Sequence, residues 1–77
     1  MKSVNVLLNS IEKIKEFTNI VSNLDSEIDL VSGRYTVNAK SIMGIFSLDL
    51  TKNIRMDIHN DEIFDDAKEK LKDFIVQ

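Results

Sequence analysis

The chain has 77 residues, 43% of them hydrophobic, with 13 acidic against 10 basic side chains and a formal charge of −3. That length suits one domain, residues 1–77, and the absence of cysteine excludes disulfides, thiol catalysis and cysteine-held zinc or iron–sulfur centres. Net acidity argues against a nucleic-acid partner. With neither a membrane-length apolar run nor a secretory signal pattern, the expectation is a soluble, cytoplasmic, monomeric protein.

Val4, Val6 and Leu8 alternate with Ser3 and Asn5, which predicts an opening strand. Asn9 or Ser10 then caps a helix; with Asn9 as the cap, Glu12 falls at the third helical position of a capping box. Ile11, Ile14, Phe17, Ile20, Val21 and Leu24 recur at spacings of three and four, so this helix buries one stripe. The period next switches to two. Ile28 and Leu30 oppose Glu27 and Asp29, Ser32-Gly33 supplies a turn, and Tyr35 and Val37 oppose Thr36 and Asn38, a hairpin with one wet face.

Residues 42–50 are apolar without a clean period, which gives a short helix after Ser41 and then a loop. Ile54, Met56 and Ile58 alternate with Arg55, Asp57 and His59 in a fourth strand. A last helix starts near Asn60 or Asp61, with Ile63, Phe64, Ala67, Leu71, Phe74 and Ile75 as its core stripe. Its acids Asp61, Glu62, Asp65 and Asp66 come early and Lys68, Lys70 and Lys72 late, as the helix dipole favours. The order β-α-β-β-α-β-α, with every strand half wet, predicts an α+β open-faced sandwich. Its sheet is four-stranded and mostly antiparallel, with the helices on one face.

Little of this points to catalysis. His59 is the lone histidine; it shares a strand face with Asp57 and precedes Asp61, but a metal centre wants three or four convergent ligands. A solvated face is expected there, with no metal and no cofactor. No serine has a histidine placed to activate it, and Gly33 and Gly44 cannot build a phosphate-cradling loop, so the chain is not expected to be an enzyme.

Ser41 is the informative polar residue. It stands where an N-cap belongs, and a phosphoryl group there would face a helix start while adding about −1.5 to −2 charges. Ile42, Ile45 and Leu48 can turn inward together. Met43 and Phe46 then form an outward i, i+3 pair that either marks a partner surface or tucks against the sheet rim.

The block Thr36-Val37-Asn38-Ala39-Lys40-Ser41-Ile42-Met43-Gly44-Ile45-Phe46-Ser47-Leu48 closely resembles the centre of HPr, the histidine-containing phosphocarrier of the bacterial phosphoenolpyruvate:sugar phosphotransferase system. The resemblance implies the same open-faced sandwich. The family's chemistry sits in a motif of Gly, a hydrophobic residue, His, Ala, Arg and Pro between the first strand and first helix. Ungapped from Ser41, this chain has Leu8-Asn9-Ser10-Ile11-Glu12-Lys13 there. Ser10 replaces the phospho-accepting histidine, Glu12 the arginine and Lys13 the proline; no histidine or arginine precedes Arg34. Phosphohistidine transfer through this corner is therefore expected to be lost.

By the same resemblance Ser41 matches the serine that an ATP-dependent HPr kinase modifies in low-GC Gram-positive bacteria. Met43 and Phe46 match the exposed apolar residues through which the family docks that kinase, enzyme I and transcriptional regulators. The expectation is a non-catalytic binding or regulatory protein acting through Ser41 and the Met43/Phe46 patch. The alternatives are a degenerate carrier taking phosphate at Ser10 or His59, and an interaction module that is never phosphorylated.

Overall fold

The computed structural model describes residues 1–76. In chain order these form β1 (Lys2–Val6), α1 (Ile11–Ser22), β2 (Ile28–Ser32), β3 (Tyr35–Asn38), α2 (Ile42–Phe46), β4 (Ile54–Ile58), α3 (Phe64–Lys70) and β5 (Ile75–Val76), with a 3-10 turn over Asp61–Ile63 leading into α3. The sheet order is β3-β2-β4-β1-β5 and every neighbouring pair is antiparallel.

The fold is thus the α+β, antiparallel, one-sided sandwich that the alternating strands require, with one strand more than the four expected. The difference lies in the C-terminal segment. Leu71, Phe74 and Ile75 belong to the predicted helical stripe, but α3 stops at Lys70 and the chain turns back to the free edge of β1. Val6 pairs with Ile75 and Asn5 with Val76, while the Leu7 amide donates to the Phe74 carbonyl at 2.9 Å. An open edge would leave these backbone groups unpaired, and that requirement outweighs one more helical turn. Phe74 stays buried even so, edge-on to Phe17 with ring centroids 5.6 Å apart.

On the helix side of the sheet, Ile28 and Leu30 of β2, Ile54, Met56 and Ile58 of β4 and Val6 of β1 meet Ile14, Phe17 and Val21 of α1, Ile45 of α2, and Ala67 of α3. Two members of the predicted stripes do not join them. Ile11 is 60% exposed, because a helix beginning at Ser10 turns its first residue outward, and Ile42 is 36% exposed at the rim. The hairpin turn is Gly33-Arg34, one residue later than Ser32-Gly33. Gly33 has φ +60°, and no other described residue has a positive φ. A two-residue turn with only its first position left-handed is the type II′ pattern, which glycine adopts without steric cost.

No helix among the described residues is long and apolar enough to cross a membrane.

Candidate functional site

Ser41 is positioned by a turn that leaves β3. The Asn38 side-chain oxygen accepts from the Lys40 amide at 2.8 Å, and the Asn38 carbonyl accepts from the Ser41 amide at 3.0 Å. Ala39 between them is fully buried, its amide donating to the Ile28 carbonyl at 2.8 Å. The turn is thereby pinned to β2, and Ser41 follows in extended conformation as the N-cap of α2, its Oγ accepting from the Gly44 amide at 3.2 Å. The cap satisfies one of the four amides that a helix start leaves unpaired. Lys40 points away from it, donating from Nζ to the Leu24 carbonyl at 3.2 Å beyond the end of α1.

Gly44 lets α2 lie this close to β3. A Cβ built there would stand 3.2 Å from the Val37 Cβ and 3.3 Å from Ser41 Oγ, tighter than such contacts ordinarily are. With Gly44 against the sheet, Ile45 is fully buried and Leu48 nearly so. The i, i+3 partners on the other side then face solvent: Met43 is 77% exposed and Phe46 43%. Met43 stands clear of the rim, while Phe46 is more than half covered. Partly exposed Ile42 adds to the same apolar face, an extension that the even spacing of Ile42, Ile45 and Leu48 conceals.

The corner between β1 and α1 is simpler. Ser10, rather than Asn9, is the N-cap, and its Oγ accepts from the Lys13 amide at 3.1 Å. Glu12 consequently sits one position too early to close a capping box; it contributes a carboxylate to the first turn, where the dipole favours it.

Asp57, His59 and Asp61 do not converge. Asp57 lies on the sheet face away from the helices yet is only 5% exposed, a correction to the solvated face expected there. Its Oδ1 accepts from Ser3 Oγ at 2.6 Å and from Arg55 Nε at 2.9 Å, and its Oδ2 from Arg55 Nη2 at 3.2 Å. Burial pushes the carboxyl up, but these hydrogen bonds, with the positive charges of Arg55 and His59, outweigh it and hold Asp57 below the ordinary carboxylate value. His59 Nε2 stands 2.8 Å from Asp29 Oδ2 on β2, and Asp61 pairs with the terminal amine at 2.9 Å. The period-two pattern places these groups on one face but says nothing of which cross-strand partners close over them.

Residues 12–77 match the family described as "PTS HPr component phosphorylation site". The chain is similar in structure to HPr-C-His from Thermoanaerobacter tengcongensis, with TM-score 0.79 and 28% identity over 95% of this chain and 89% of that one. It is also similar to a phosphocarrier protein HPr from Bacillus anthracis, with TM-score 0.72 and 27% identity over 97% of this chain and 94% of that one. No curated protein gives a significant match.

Proposed function

This chain belongs to the HPr family of the phosphotransferase system, and we propose that within it the chain is a cytoplasmic binding or regulatory module. It works through Ser41 and the Met43/Phe46 surface and does not relay phosphohistidine. One observation carries the reading: at the β1–α1 corner the available nucleophile is the hydroxyl of Ser10, not an imidazole, with Glu12 in the first turn. A phosphoryl group on imidazole nitrogen keeps a high transfer potential, whereas a serine ester does not pass it on. A carboxylate beside it repels the phosphoryl charge that an arginine would hold.

His59 does not serve as a substitute. The pairs Lys2↔Ile58 and Val6↔Ile54 mark opposite ends of the β1/β4 ladder. At about 3.4 Å per residue those ends lie about 14 Å apart. Ser10 follows the Val6 end and His59 the Ile58 end, where its ring is engaged with Asp29. The family match itself opens at residue 12, past Ser10.

Treatment with ATP and an HPr-directed kinase tests the regulatory role: label is expected on the wild type and absent from Ser41→Ala. Unlabelled wild type removes that role and leaves the unphosphorylated interaction module. Incubation with phosphoenolpyruvate and enzyme I is expected to leave no acid-labile label; such label on this chain would restore the carrier reading.

A further inference from the structure

We propose that Met43 is a reversible oxidation site whose sulfoxide switches the α2 surface off; the switching half rests on the docking role proposed above. With no cysteine in the chain, its three methionines are its only side chains for reversible oxidation of sulfur. The structure separates them sharply. Met43 is 77% exposed, whereas Met56 is completely buried between its ladder partners Leu30 and Val4. Met1 is exposed, but its amine is tied to Asp61 ahead of α3, away from α2 in the chain. A dissolved oxidant therefore reaches a thioether in the middle of the apolar surface without any opening of the fold.

The oxidant is hydrogen peroxide. The Met43 sulfur attacks the distal peroxide oxygen, an S–O bond forms as the O–O bond breaks, and water leaves. Sulfur gives up two electrons and the peroxide takes them; a sulfoxide reductase reverses the change.

The product carries a strongly polar S=O where a partner would otherwise close over a flexible apolar side chain. Docking must then strip water from that oxygen without returning a hydrogen bond, and the Phe46 ring loses its apolar neighbour one turn away. The helix itself is not disturbed. Its anchors are Ile45, Leu48 and the Ser41 cap, none of which the outward Met43 side chain supports.

The test is a hydrogen peroxide titration of the whole chain, read by peptide mass mapping, hydrophobic-interaction chromatography and the rate of Ser41 labelling by the HPr-directed kinase. We expect Met43 to gain one oxygen while Met56 stays unmodified in the folded protein. Retention on a phenyl column should fall, labelling should slow severalfold, and methionine sulfoxide reductase should restore both. Met43→Leu, compared with its own untreated sample, should keep its labelling rate and lose less retention than wild type, since exposed Met1 is then its one accessible thioether. The proposal is overturned if Met56 oxidises as fast as Met43, if retention is unchanged by Met43 oxidation, or if Met43→Leu loses as much as wild type. A kinase that labels nothing before peroxide counts against the regulatory reading alone, and retention and mapping then decide the fate of Met43.

Discussion

The α2 surface and the open face of the sheet flank the same core, and their side chains are used in opposite ways. The open face holds the groups with the richest chemistry: the lone histidine, an arginine and two aspartates, Asp29 and Asp57, directly opposite one another on β2 and β4. Like charges in that register destabilise a strand pair. Arg55 and Ser3 on Asp57, with His59 on Asp29, answer the repulsion. That chemistry is therefore engaged in fastening strands. Around α2 no charged groups are paired across strands, and what the chain presents is a capping hydroxyl at a helix start beside exposed Met43 and Phe46. On the proposed reading, reactive residue types do not by themselves mark the working surface; exposed apolar side chains engaged in no strand pairing do.

The contrast is most sharply tested within α2. Ile45→Ala, which empties a fully buried position, should cost about 2–4 kcal/mol of unfolding free energy, whereas Met43→Ala should change it by less than about 0.5 kcal/mol, as denaturant titration will read. A comparable cost for Met43→Ala would make that residue part of the core.

On the open face, Asp57→Asn should lose about 1–2 kcal/mol at neutral pH, because the charge-assisted bonds from Ser3 and Arg55 weaken while the half-exposed Arg55 guanidinium regains water. The sign with pH follows from the carboxyl being held below its ordinary value. Its stabilisation is complete above the usual aspartate pKa of about 3.9 and is lost as pH falls through the lowered folded value. Unfolding curves of wild type and Asp57→Asn should accordingly converge in acid. If they stay parallel to the lowest pH at which the protein folds, the network does not fasten the sheet.

Docking should respond the other way round. Met43→Asp with Phe46→Asp should weaken binding of the HPr-directed kinase at least tenfold, about 1.4 kcal/mol, with little change in thermal midpoint; Asp57→Asn should leave the affinity untouched. Equal losses from both variants would erase the distinction between the two surfaces. At the cap, Ser41→Ala should cost about 0.5–1 kcal/mol by removing the acceptor of the Gly44 amide, as denaturant titration will read.

Much of this is legible in the residues alone. Period two in Ile28–Val37 and Ile54–His59, and period 3.6 from Ile14 to Val21, report which side of its own element each residue occupies. That information is enough for the antiparallel, one-sided sandwich. The Ser41 cap and the outward phase of Met43 and Phe46 follow from the same local rules, since a short helix with Ile45 inward turns its i+1 and i−2 positions off the core, while whether the sheet rim covers them waits on the fold.

Local patterns do not report what another part of the chain lays over a residue. Ile75 continues a helical stripe by spacing, but the unpaired edge of β1 draws it into a strand. Asp57 alternates as an outward residue should, yet Ser3 from β1 and Arg55 along β4 close over it and bury it. Ile11 and Ile42 fit buried stripes, but each begins its helix and projects past the sheet it was expected to cover. Strand edges, cross-strand charge pairs and helix overhang arise only when distant segments meet, because their energies depend on contacts between residues that the sequence keeps far apart.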